Sequence, residues 1–164
     1  MRLFWSHAML VTVLLGNASG CAHGGSLERN KATARMVFED VLTRGRWDVS
    51  ERIHAPDFVA RAGKRTEGRA EELESAKGWR SAMPDLVMRI EQMVAEGDLV
   101  AVRWTGAGTN TGTGNGLPAT GKRLEIEGTT IFRIVDGRIV EEWNSIDEMG
   151  LLRQLGELPG QAVQ

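Results

Sequence analysis

Near its end the chain carries EEWNSIDEMGLLRQLG, residues 141–156, in which Glu142 and Asn144 stand two apart in an alternation of polar and apolar residues. On a strand that spacing puts both on one face with Val140 and Ile146, and sends Ile139, Glu141, Trp143, Ser145 and Asp147 to the other. A carboxyl set against an apolar wall keeps its proton to higher pH and becomes useful for acid–base work, while a buried amide needs partners and can take a ligand's carbonyl or carboxyl as one. Glu142 is therefore the catalytic candidate for proton transfer, and Asn144 its polarising partner.

Other residues offer weaker chemistry. Arg61, on a short predicted strand, could clamp an anion or pair with Glu142, although a surface arginine is the plainer reading. His54 stands just before a proline at a helix end, where histidine often caps carbonyls, and His23 sits in a polar tether. Asp147 suits the N-cap of a closing helix, since its carboxylate can accept from free first-turn N–H groups. Trp104, with Val100 and Val102, could give a pocket an aromatic wall, to which Phe132 adds apolar bulk.

The glycine-rich stretch 106–121 joins two predicted strands and does not open a helix, so it reads as a wide hairpin or pocket rim, not a phosphate loop. HExxH, CxxC, calcium-loop and GxSxG patterns are absent from the sequence, which argues against a metal site and against serine hydrolysis.

The elements that must place these residues follow from periodicity. Ser26 is a fair N-cap for a helix over 27–44 whose inward stripe is Ala34, Val37, Phe38, Val41 and Leu42. A short helix over 47–54 ends at Pro56, a brief strand covers 57–62, and GKRTEG is a polar loop. A third helix covers 68–82, with Ala70, Leu73, Ala76, Trp79 and Met83 on or near one face. The period then changes to two across 86–96, 98–109, 123–135 and 138–146, with hairpin turns at 96–98 and 136–138. Helices followed by a run of strands predict an α+β domain, a curved antiparallel sheet with helices on its concave face.

The 164 residues make one domain, and a formal charge of −2 leaves no nucleic-acid footprint. Residues 1–20 read as a signal peptide: Arg2, an apolar run through 9–15, then small residues before Cys21. Removing them takes away Arg2, so the charge becomes −3 on 164 minus 20, or 144, residues. A domain of that size buries about two thirds of its unfolded surface without a disulfide or metal. Residues 21–26 form the tether, 27–158 the domain and 159–164 a tail.

Ala18-Ser19-Gly20-Cys21 resembles the lipobox of bacterial lipoproteins, which implies lipidation of Cys21, export and membrane anchoring in the cell envelope. A soluble periplasmic or secreted protein is the alternative, because the same residues suit an ordinary signal peptidase.

TGAGTNTGTGNGLPATGKRL (105–124), FRIVDGRIVEEW (132–143) and DEMGLLRQLG (147–156) together resemble the SnoaL-like polyketide cyclase, or ester cyclase, family. The resemblance implies a nuclear transport factor 2-like cone around an apolar pocket. Better-known members close a polyketide ring by an intramolecular aldol step with no metal or organic cofactor. They use an aspartate on the last strand as acid and base, with a histidine on the strand beside it.

The matching positions here are Asn144 and Thr130, neither of which can carry a proton near neutral pH. The histidine of the family's GTHTG-like stretch is Asn110, and the second proline of its PPTG-like turn is Ala119. On this likeness Asn110 and Thr130 join Arg61, Trp104 and Phe132 as ligand-binding candidates, and the Asn144 face turns into the cone. The expected activity is cofactor-independent acid–base chemistry on a small, largely apolar carbonyl compound. The alternative is a non-catalytic ligand-binding or interaction lipoprotein on the same fold. Many such cones pair through their sheets, so a homodimer is a further expectation.

Overall fold

The computed structural model describes residues 19–157, with side chains from residue 24 onward. Nearly all of the expected signal peptide, the tail 159–164 and the side chain of Cys21 lie outside the described residues.

Helix α1 spans Ser19–Met36 and continues directly into a π-helical segment, Val37–Thr43. Residues 21–26, read from the sequence as a tether, are thus helical. Gly24 and Gly25 lower helix propensity by about 1 kcal/mol each relative to alanine, but no proline bars the backbone. The expected α-helix to 44 also gives way to the wider π turn after Met36. Thr43 Oγ1 donates to the Phe38 carbonyl at 2.8 Å and accepts from the Met88 N–H at 2.9 Å, which ties that turn to the sheet. Val37, Phe38 and Val41 are buried by it.

Helix α2, Trp47–Ile53, stops one residue earlier than the pattern suggests, and strand β1 runs His54–Ala62. Pro56 has no N–H to continue a helix, so extended backbone begins ahead of it. The expected polar loop after β1 contains a short strand, β2, Arg65–Gly68. Helix α3 follows at Arg69–Ala82 and ends just before Pro84.

Four longer strands and a closing helix complete the chain: β3 Val87–Glu96, β4 Leu99–Thr109, β5 Arg123–Val135, β6 Arg138–Ile146 and α4 Glu148–Leu155. The six strands form one sheet in the order β2-β1-β6-β5-β4-β3. β1 lies parallel to β6 and every other pair is antiparallel, so the sheet is mixed and not antiparallel throughout. A parallel pair needs a long connection, and everything between 62 and 138 serves as one.

Register shifts within β1/β6, β3/β4 and β5/β6 bend and twist the ribbon, and the helices pack on its inner face. The shift in β6 changes which residues point inward. Glu141 opposes Arg133 while Ile139 opposes Ile134, which leaves Val140 as the extra residue. Ile139, fully buried, therefore joins the inner face with Glu142, where simple alternation had placed it outside. The core gathers around Phe38, Val100, Val102, Phe132, Ile134 and Ile139.

Candidate active site

Residues directly opposite each other on neighbouring strands point to the same side of a sheet, so the register lays out the inner wall in rows. One row reads Val100, Phe132, Glu142, Ala60, Glu67 across β4, β5, β6, β1 and β2. The next reads Met93, Val102, Thr130, Asn144. With α3 and the π-helical segment above them, these rows bound a cavity of about 1170 Å³ whose lining includes Phe38, Trp104, Phe132, Glu142 and Asn144. Val100 and Val102 are wholly buried behind that surface.

A hydrogen-bonded chain fixes the orientation of Asn144. Trp104 Nε1, a donor only, gives its proton to Thr130 Oγ1 at 2.9 Å. The Thr130 hydroxyl then donates to Asn144 Oδ1 at 3.1 Å. The carbonyl end of the amide is thereby engaged, and its NH₂ end remains to donate into the cavity that Asn144 lines. The indole reaches Thr130 by crossing Gly128: a Cβ there would lie 2.5 Å from Trp104 Cζ2. Glycine at 128 is the gap that lets the chain form.

Glu142 is 4% exposed, and its Oε2 has no hydrogen-bond partner. Burial pushes its carboxyl well above the usual range, and the neighbouring carboxyls of Glu72 and Glu67 push it further. Glu72, on α3, is itself raised to about 7 by burial and by Glu67. Hydrophobic patterning in the sequence points to neither Glu67 nor Glu72. Asn144 stands two residues along β6 from Glu142, about 7 Å at strand rise. An uncompensated acid and an amide donor thus share one apolar-walled space.

The other expected residues lie elsewhere or do other work. Arg61 edges the cavity, but its Nη2 bonds Glu141 Oε1 at 2.9 Å, so it pairs with Glu141 and not with Glu142. The strand geometry explains this: Ala60, not Arg61, opposes Glu142.

Asn110 is fully buried outside the cavity lining, with a satisfied amide. Its Nδ2 donates to the carbonyls of Ala82 and Gly112, and its Oδ1 accepts from the N–H and hydroxyl of Thr120. These bonds make it the brace of the rim loop between β4 and β5. That loop presses on α3 closely enough that a Cβ at Gly112 or Gly114 would collide with the backbone of Ser81 or Gly78.

His54 is buried, with Nδ1 against the Ser50 carbonyl at 2.9 Å and its ring edge-on to Phe58 at 4.6 Å. Burial lowers its pKa despite the Ser50 bond, and Arg69 lowers it further. Asp147 caps α4 by accepting from the Gly150 N–H at 2.9 Å. Among the described residues no three His, Cys, Asp or Glu side chains come close enough to hold a metal ion.

Residues 32–155 match the family model described as SnoaL-like polyketide cyclase. Aklanonic acid methyl ester cyclase DnrD of Streptomyces peucetius is 44% identical over 50 residues, which are 30% of this chain and 34% of that protein. The match therefore spans about a third of that relative's length. Among solved structures, AclR of Streptomyces galilaeus, a candidate hydroxylase, superposes with a TM-score of 0.74 at 28% identity, over 84% of this chain and 87% of that one. IdmH of Streptomyces antibioticus, a candidate polyketide cyclase, gives 0.68 at 28% identity over 77% and 98%.

Proposed function

The chain belongs to the SnoaL-like polyketide cyclase family, and on that premise we propose that its cavity binds a small, largely apolar carbonyl compound and moves a proton on it without a cofactor. The observation that supports this most is the buried, unpartnered Glu142 carboxyl in a cavity that Asn144 also lines, with only the carbonyl end of its amide engaged. The Asn144 NH₂ holds the carbonyl oxygen and withdraws charge from it. The ionised Glu142 carboxyl takes a proton from the adjacent carbon, and the acid form returns it after the carbon skeleton has rearranged. A raised pKa makes Glu142 the stronger base once ionised.

Exchange of the α-protons of 2-tetralone in deuterium oxide, followed by NMR, reads this chemistry directly. The rate should rise with pH as Glu142 ionises. Glu142→Gln should lower it about 10²- to 10⁴-fold while 2-tetralone still binds. Equal exchange by the variant and the parent protein would defeat the assignment. Binding without exchange in either would instead favour a ligand carrier, a reading supported by Asn144 and Thr130 standing where the cyclases keep their aspartate and histidine.

Export and lipid anchoring belong to the same proposal and rest on the sequence of residues 1–21. Mass spectrometry of the N-terminal peptide from the native host tests them. Pairing of two copies through the outer sheet face, where Val94 is 66% and Ile131 37% exposed, is tested by the mass in solution.

A further inference from the structure

One end of the cavity has a composition that a neutral carbonyl compound does not explain. In the lateral row Glu142, Ala60, Glu67, the small side chain of Ala60 lies between two glutamates. Two strand spacings separate the backbones of the glutamates, about 10 Å. Ala60 is buried and lines the cavity, so it is the floor of a niche walled by Glu67 and Glu142. Helix α3 packs on β1 and brings Glu72 to the same space.

No cation answers these carboxyls. Neither Glu67, Glu72 nor Glu142 takes part in an ion pair among the described residues, although acids near them in sequence are engaged. Glu71 accepts from the Gly68 N–H at 3.1 Å, and Glu74 and Glu141 pair with Lys77 at 2.7 Å and Arg61 at 2.9 Å. The basic residues that line the cavity are Arg61, Lys64 and Arg65, all exposed. Arg61 is engaged with Glu141 and Arg65 lies 3.7 Å from Glu148, while Lys64 makes no ion pair to the three. On the far side of β6, Arg133 also serves Glu141. Beside the niche the wall turns aromatic: Phe132 is the next residue in the row after Glu142, Phe38 packs on Phe132, and Trp104 packs on Phe38.

Three carboxyls without a counter-ion, one of them buried with a free oxygen, beside aromatic rings, form the receptor for an organic cation. We propose that the niche over Ala60 receives a protonated amine on the ligand, held by Glu67, Glu72 and Glu142. The carboxyls are too far apart to chelate a bare metal ion, and an ammonium or alkylammonium group fits that wider spacing. The inference rests on the reading of this cavity as a small-molecule site and narrows it to substrates that carry a basic nitrogen as well as a carbonyl.

It also supplies what the proton-transfer step lacks. Burial and the neighbouring carboxyls favour the protonated form of Glu142, and a cation beside it favours the ionised form, so the ligand's own charge prepares the base. Binding must then release protons, and affinity for the cation must rise with pH across the range in which Glu72 ionises, near 7.

The test compares two probes of nearly equal shape, 1-naphthylmethylamine, cationic at pH 8, and 1-naphthalenemethanol, by titration calorimetry on the full chain. The amine should bind at least about tenfold more tightly than the alcohol at pH 8, and the ratio should shrink toward pH 6. Calorimetry in buffers of different ionisation heat should register proton release for the amine alone. Glu67→Gln and Glu72→Gln should each move the ratio of affinities toward one. If the alcohol binds and the amine binds no better, the niche fails while the small-molecule cavity stands. A ratio retained in both variants also overturns the proposal, and binding of neither probe overturns it together with the cavity reading.

Discussion

Glu141 and Glu142 are neighbours in sequence on one strand and live in opposite worlds. Glu141, on the outer face, lies between Arg61 Nη2 at 2.9 Å and Arg133 Nε at 3.2 Å, its side chain 26% exposed. Glu142, one residue on, is 4% exposed and has an oxygen with no partner. A strand turns successive side chains to opposite faces, so one pleat separates a paired carboxylate from a stranded one. Stability alone would not keep the second arrangement, because a buried carboxyl without a partner costs free energy that an apolar residue would not. The inner face therefore carries the electrostatic strain, and it is the face on which the proposed proton transfer depends.

The contrast is sharpest in its dependence on pH. Glu142 and Glu72 have folded-state pKa values raised above the ordinary 4.5, so the folded protein holds their protons more tightly than the unfolded chain. Their contribution is neutral below about 4.5 and becomes destabilising as pH rises toward 7 and beyond, by up to about 1.4 kcal/mol per unit for each group. Chemical denaturation should show stability falling as pH rises from 5 to 8, and Glu142→Gln should recover much of that loss at pH 8. A flat profile, or a Glu142→Gln protein weaker at pH 8, would put Glu142 in solvent and erase the distinction between the faces. His54 works in the other direction: its lowered pKa withdraws stability as pH drops below its ordinary 6.5.

The inner face also depends on an absent side chain. Gly128→Ala would place a methyl against both the Trp104 indole and the Ser145 carbonyl of β6, so that the indole shifts off Thr130 or β6 gives way, and either loosens the hold on the Asn144 amide. Overpacking of this kind costs about 1–3 kcal/mol. Near-ultraviolet circular dichroism should register the displaced indole, and proton exchange on 2-tetralone should fall although no group that touches the ligand has changed. An unaltered spectrum would mean that the indole has room to spare and that the chain to Asn144 is not braced from Gly128.

Much of this frame is legible in the sequence, and the parts that are not share a physical cause. Two-residue alternation locates the four long strands, and Pro56 and Pro84 mark where helices cannot continue. The bulge at Val140 is invisible to alternation, because one unpaired residue reverses the faces on one side of it while leaving the pattern of residue types plausible. Asn110 and Asn144 look alike as letters. What separates them is the number of their partners, four hydrogen bonds for the Asn110 amide and one for that of Asn144, and that number is set by the folding of a distant loop. Glu72 was the recoverable omission: it precedes Ala76 by one helical turn and Trp79 by two, which places it on the inward face of α3. Hydrophobic patterning favours Leu73 beside it and skips an acid there. Glu67 sat in a stretch too short and polar to read as a strand.

The smallest expected effect belongs to the outer carboxylate. Glu141→Gln removes one charge from a cluster with Arg61 and Arg133 whose side chains are 43% and 42% exposed. Solvent screens such pairs, so the loss should be about 0.5 kcal/mol and should shrink in high salt. Proton exchange on 2-tetralone should keep its rate, since the residue points away from the cavity. The size of the change decides between two pictures of β6. If Glu141→Gln costs no more than that while Glu142→Gln gains stability at pH 8, the strand separates a decorative charge from a strained one. If Glu141→Gln costs several kcal/mol, the two arginines it leaves unpaired repel across β1 and β5 strongly enough to disturb the sheet, and Glu141 is then the brace that holds the strand carrying Glu142 in place.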